Sequence, residues 1–142
     1  MRYCLFFLLW LLGASLLGQT MIDWPLLNEV SYIKGVDLRT GYLVERPRFS
    51  KALKKLDGDL VEIEGYIVPL DITGSRYVLS QFPYASCFFC GRAGLSSVMD
   101  VWFVDRSKRY VLDDRLKLRG YLRLSDSGEG LMYLLDEAEE IE

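Results

Sequence analysis

Near Gly58 the spacing of apolar positions along the chain changes from that of a helix to that of a strand. Before it, Phe49, Ala52, Leu53 and Leu56 recur at helical spacings and form one stripe, while Lys51, Lys54 and Lys55 stay in water. Pro47 is placed to open this short helix and Gly58 to close it. After Gly58 the period is two. Val61, Ile63 and Ile67 face one way and Glu62, Glu64, Tyr66 and Val68 the other, until Pro69 ends the strand. Gly65 interrupts the inner row, as a bulge or a sharp barrel bend requires.

The same pattern predicts strands over 76–80, 97–104, 116–124 and 131–135. In the fourth strand Leu116, Leu118, Leu122 and Leu124 alternate with Lys117, Arg119, Tyr121 and Arg123, with Gly120 again in the inner row. Turns at Thr73-Gly74 and over 127–130 lead into the second and last strands. Residues 49–142 therefore read as a mainly β domain, a small five-stranded antiparallel OB-like barrel with one short helix. In that topology the first and fourth strands are neighbours, which sets outward Glu62 and Glu64 against Lys117 and Arg119. Cross-strand pairs of opposite charge contribute only ~0.2–1 kcal/mol each, yet they help select the pairing.

Residues 20–48 are less regular. Trp24-Pro25 predicts an extended lead-in, strand-like pieces fall over 29–33 and 42–44, and Gly35 and Gly41 punctuate them. The segment reads as an N-terminal extension packed on the barrel through Trp24, Leu27, Val30, Tyr42 and Val44.

Residues 1–19 have the layout of a signal peptide: Arg2, an apolar run from Cys4 to Leu17, then small and polar residues around Gly18 and Gln19. That run of about 14 residues falls short of the ~20 needed to span a bilayer, which favours a cleaved leader over an anchor. Cys4 stands at the start of the run instead of after its end, which argues against a lipoprotein. The expectation is a periplasmic or secreted protein with no stable membrane span after cleavage.

The 142-residue chain carries a formal charge of −3, and losing Arg2 with the leader leaves 16 basic against 20 acidic residues, or −4. A mildly acidic surface gives no electrostatic drive toward nucleic acid, so no such partner is expected. The chain contains no histidine, which removes the usual general base, the Ser/His/Asp and Cys/His arrangements, and every zinc site built on imidazole.

The most distinctive chemistry is Cys87-Phe88-Phe89-Cys90 in the loop between the second and third strands. Three readings stand beside one another. A structural disulfide would stiffen the loop, contributing roughly 2 kcal/mol by chain entropy. A redox pair matches the two-residue spacing but lacks a helix N-terminus in a βαβ setting. A metal site, zinc for example, would join both thiolates to carboxylates such as Asp71 or Asp100 or to a partner's ligands.

Around the cysteines, Phe82, Tyr84, Phe88 and Phe89 form a candidate apolar patch for a protein partner in the cell envelope. Tyr66, Tyr77, Trp102 and Tyr121 are candidates for an external stacking surface, with core packing or contact with the N-terminal extension as the competing role. Glu62, Glu64, Asp71, Asp113 and Asp114 read as the solvated face of strands and turns, and Glu137, Glu139, Glu140 and Glu142 as a solvating tail.

Leu56, Gly58, Val61, Gly65-Tyr66 and Pro69-Leu70 together resemble the L-x-G-x-x-V-x-x-x-G-Y-x-x-P-L core of a family of exported bacterial proteins of unknown function. The resemblance extends over about 49–135 and is weaker toward the end. Members continue with Gly-Ala-Cys-x-His and a run of prolines. Here Cys87 matches, Phe89 stands in place of the histidine, and the prolines are missing. The resemblance implies an exported OB-like module, in some members associated with ABC-type transport or metal-responsive gene sets, and no established reaction. The resulting expectation is a non-enzymatic accessory or binding module working through the Cys87–Cys90 loop, with a thiol-disulfide redox protein as the alternative.

Overall fold

The computed structural model describes residues 20–142 apart from Arg92. The expected leader, residues 1–19, lies outside the described residues. Strand β1 (Thr20–Met21) runs parallel to the first barrel strand opposite Val61 and Glu62. Trp24-Pro25 is not extended but opens a one-turn helix, α1 (Trp24–Leu27). Asp23 caps it by accepting from the Leu26 amide at 2.9 Å, and Pro25 sits in the first turn, where a missing N–H is not needed. The Trp24 indole donates to the Glu64 carbonyl at 2.8 Å, and the buried Tyr133 hydroxyl donates to the Leu27 carbonyl at 2.5 Å. Burial, and then proximity to Tyr32, raises the Tyr133 phenol above its ordinary pKa, so it stays a donor.

Strands β2 (Val30–Val36) and β3 (Leu43–Phe49) form a separate antiparallel hairpin, both longer than the period predicts. Pro47 and Phe49 belong to β3, not to the helix. Pro47 is tolerated because β3 is paired on one side only. Helix α2 (Lys51–Leu56) starts after Ser50, whose Oγ accepts from the Leu53 amide at 3.2 Å. Trp24 and Leu27 are buried and Val30 packs on the core, whereas Tyr42 is 75% exposed near the hairpin turn.

The barrel consists of β4 (Leu60–Pro69), β5 (Tyr77–Ser80), β6 (Val98–Phe103), β7 (Arg115–Leu124) and β8 (Tyr133–Ile141). Its order is β4-β5-β6-β8-β7, closed by the pairing of β7 with β4. The expected neighbours are adjacent, with Glu62 opposite Arg119 and Glu64 opposite Lys117. The ion pairs themselves run diagonally: Lys117 Nζ lies 3.1 Å from Glu62, and Arg115 meets Glu64. Every barrel pairing is antiparallel except β6 with β8, which corrects the all-antiparallel expectation. Five strands cannot alternate direction around a closed ring, so one adjacent pair must be parallel.

The last strand corrects a second expectation. It does not stop at Leu135 but continues through the acidic segment to Ile141. Glu139 pairs with Arg119 at 3.5 Å and Glu140 with Lys108, so these carboxylates belong to the barrel wall. The continuation was hidden because Glu137, at φ 50°, is an extra residue relative to both neighbouring strands. The buried row therefore reads Tyr133, Leu135, Ala138, out of period two.

Gly65 and Gly120 permit the close approaches that curve the wall. A Cβ on Gly65 would lie 2.7 Å from the Ser80 carbonyl oxygen, and one on Gly120 would lie 2.7 Å from that of Asp136. Inside, Val61, Ile63, Ile67, Leu79, Met99, Leu118, Leu122 and Leu135 are fully buried and fill the barrel. Gly120→Ala is expected to cost about 1–3 kcal/mol by overpacking. Gly35→Ala, whose added methyl meets nothing within 4 Å, should match or slightly exceed the wild type. Urea unfolding midpoints check the contrast.

Candidate functional site: the cysteine-bearing loop

The loop between β5 and β6 is held at its two ends and across its middle. At its start, the buried Ser80 Oγ accepts from the Phe82 amide at 3.2 Å and donates to the Phe82 carbonyl at 2.8 Å. At its end, Ser97 Oγ donates to the Gly94 carbonyl at 2.6 Å, and the Gln81 amide donates to the Ser97 carbonyl at 2.9 Å. Ser96 Oγ donates to Asn28 Oδ1 at 2.6 Å, which ties the loop to the end of α1. In between, the Tyr84 amide donates to Asp113 Oδ1 at 2.8 Å. Asp113 has φ 68°, a conformation Asp tolerates better than most residues, and its own amide donates to the Ile67 carbonyl at 3.0 Å.

Short 3-10 turns over Tyr84–Ser86, Phe88–Cys90 and Leu95–Ser97 fill the remaining path. From Ser80 the chain reaches Asp113 beside β4 and returns to β6, so it crosses the outside of β4 and β5. Val68, Val78 and Val98 are buried although they stand apart from the interior cluster, and Cys87, fully buried, shares that property. Cys87 thus acts as a small apolar plug beneath the loop.

Cys90 is exposed, and its thiol donates to the Tyr84 carbonyl at 2.9 Å. The two sulfurs are unbonded, one turned inward and the other outward. The stiffening that the sequence assigns to a disulfide is supplied here by the Ser80, Ser97 and Asp113 hydrogen bonds. Nor do the two cysteines make a zinc site by themselves. Among the described residues no three Cys, Asp or Glu side chains cluster as a metal would need. Asp71 is committed to its own turn, accepting from the Ser75 hydroxyl at 2.5 Å and its amide at 2.9 Å, and these bonds pull its pKa down to about 2. Asp100 stands on β6, where burial raises its pKa against the pull of Arg76.

Phe82, Tyr84 and Phe89 are 38%, 42% and 41% exposed on this braced loop, and Phe88 opens its second turn. The other aromatic set is not brought together. Tyr77 is buried edge-on against Phe103, with ring centroids 5.6 Å apart, while Trp102 stands exposed on β6 and Tyr121 lies on β7 opposite Leu60. Asp113, read from sequence as a solvated turn residue, proves to position the loop. The signal that could have marked it was an Asp-Asp pair just before a strand.

Fold and loop together define a closed five-stranded barrel that carries one hydrogen-bonded surface loop. No family model and no curated protein matches the chain. Among solved structures it is similar to the crystal structure of a DUF3299 family protein from Pseudomonas aeruginosa PAO1, at 19% identity and a TM-score of 0.46, over 68% of each chain. No helix among the described residues is long and apolar enough to cross a membrane.

The burial difference gives a direct test. In the folded, reduced protein an aromatic disulfide reagent should label Cys90 promptly and Cys87 only on opening of the loop, with labelled peptides identified by mass spectrometry. Asp113→Ala, which removes the hydrogen bond to Tyr84, should weaken the closed loop by about 1–1.5 kcal/mol and so speed Cys87 labelling roughly tenfold. Equal labelling rates at the two sulfurs in the wild type would refute the buried plug.

Proposed function

We propose that this chain is an exported, non-enzymatic binding module that engages a protein partner in the cell envelope through the loop of residues 82–96. The observation that carries the reading is the exposure of Phe82, Tyr84 and Phe89 on a backbone held by Ser80, Ser97 and Asp113. Aromatic side chains on a pre-ordered backbone lose little entropy on docking, so their apolar area converts efficiently into affinity. The side chains filling the barrel interior favour work at the surface over chemistry inside. An accessory place beside an ABC-type transport system is the setting that the family resemblance implies. Export rests on Arg2 and the apolar run that follows it.

The alternative is a thiol-disulfide exchange protein, and the accessible Cys90 thiol is the observation in its favour. Its obstacle is Cys87, which lies sealed beneath the loop and must be exposed before a disulfide with Cys90 can form and break.

A photo-crosslinking side chain placed at Phe82 or Phe89 should capture one discrete envelope protein in living cells. The same group at Val111, on the loop before β7, should not. Tyr84→Ser should reduce the Phe82 capture about tenfold without moving the thermal midpoint. Identical capture from both positions would remove the proposed interface. The intact mass of the protein recovered from the envelope should lack about the first 19 residues, and retention of the leader would remove the export claim alone.

A further inference from the structure

Beyond the cysteine loop, the outer surface of β5 and β6 carries a second concavity that neither the motif nor the proposed partner surface uses. It encloses about 240 Å³ between the turn before β5, the exposed face of β6 and the loop that leads to β7. Its composition runs against the charge of the chain. Arg76, Arg106, Lys108 and Arg109 line it, opposed by only Asp100 and Asp105, in a protein whose net charge is −3.

The existing partners decide which cations remain uncommitted. Lys108 is held by Glu140, and Asp105 is occupied with the Ser107 amide and hydroxyl at 2.9 and 2.6 Å. Asp100 is influenced by Arg76 at longer range. Arg106 and Arg109 make no ion pair with any described residue.

Arg109 is nevertheless fixed in place. Its Nη1 donates to the Arg106 carbonyl at 2.6 Å and to the Lys108 carbonyl at 3.2 Å. Its stem passes so close to Gly74 that a Cβ there would sit 2.8 Å from Arg109 Cδ and 2.9 Å from the Tyr77 hydroxyl. Two carbonyls therefore orient the guanidinium through one nitrogen, while its Nε and Nη2 donors take no protein acceptor among the described residues. Trp102 stands 58% exposed in the wall of the same cleft. A pre-oriented guanidinium and an open indole lining one cleft suit one kind of ligand, a charged oxygen group attached to a flat ring.

We propose that this cleft is a binding site for a small planar aromatic anion, a carboxylate or phosphate ester, which Arg109 and Arg106 hold by its oxygens and Trp102 by its ring. The site is independent of the cysteine loop, so failure of either reading leaves the other standing.

The test uses protein isolated from cells expressing the full chain. Titration with 1-naphthyl phosphate and with 1-naphthoate should give saturable amide and indole NMR shifts centred on Trp102 and Gly74, with a Kd below about 1 mM for at least one of them. Neutral 1-naphthylmethanol should bind at least about tenfold more weakly. Arg109→Gln and Trp102→Ala should each weaken the anion about tenfold, and Arg106→Gln repeats the charge test without touching the bonds that orient Arg109. Non-saturating shifts, equal binding of the neutral probe, or affinity unchanged in Arg106→Gln and Trp102→Ala would overturn the site. So would binding of a single-stranded oligonucleotide without binding of either small anion.

Discussion

Closure of a wall with an odd number of strands is the constraint on which this molecule depends. Four antiparallel contacts leave a fifth that must be parallel, and β8 resolves it by entering between β6 and β7. A strand wedged there has to satisfy a parallel register on one side and an antiparallel one on the other. The extra residue Glu137 absorbs the mismatch against both neighbours at once, and Gly120, lacking a side chain, lets the backbone of Asp136 come close. Gly65 does the same service where β4 leaves β7 and takes up β5. The filled interior follows from this curvature, because only a tightly coiled wall brings Val61, Leu79, Met99, Leu118 and Leu135 into one core.

Much of this wall is legible in the residue pattern, and the failures have identifiable causes. Alternation located β4 and β7, and their opposite charges anticipated the pairing, because both strands keep period two except at a glycine. β8 defeated the same reasoning because its bulge moves the inward position from residue 137 to Ala138, so Glu137 to Glu140 read as a charged tail. Trp24-Pro25 misled for a different reason. Proline favours an extended residue before it, but it also fits the first turn of a helix, and the Asp23 cap decides between the two. Phe49 has a helical spacing to Leu53 yet ends a strand, since both residues need only point at the same core.

The candidate site was legible in its location and not in its mechanics. A C-x-x-C pair behind a leader-like segment reads most simply as a covalent clip, because spacing alone says nothing about which sulfur is covered. Here the loop crosses a sheet face whose valines need covering, and Cys87 is the residue small and apolar enough to fill the gap. The bracing comes from serines and an aspartate that are far from the cysteines in composition and, for Asp113, far in sequence. Such side-chain-to-backbone bonds leave no periodic trace.

The distribution of charge around the barrel explains why both proposed surfaces fall on one side. Along β4, β7 and β8 the outward charges neutralise one another: Glu62 with Lys117, Glu64 with Arg115, Arg119 with Glu139, and Arg123 with Asp136 at 3.8 Å. A wall of mutually paired charges offers little to a ligand, since binding there must break pairs already made. The outside of β5 and β6 is built otherwise. Val78 lies opposite Asp100 in the register, so covered apolar surface under the cysteine loop gives way directly to the cleft of arginines and Trp102. The two surfaces proposed for recognition therefore fall where the sheet is least self-sufficient, with aromatic side chains at one end of that face and guanidinium groups without an ion-pair partner among the described residues at the other.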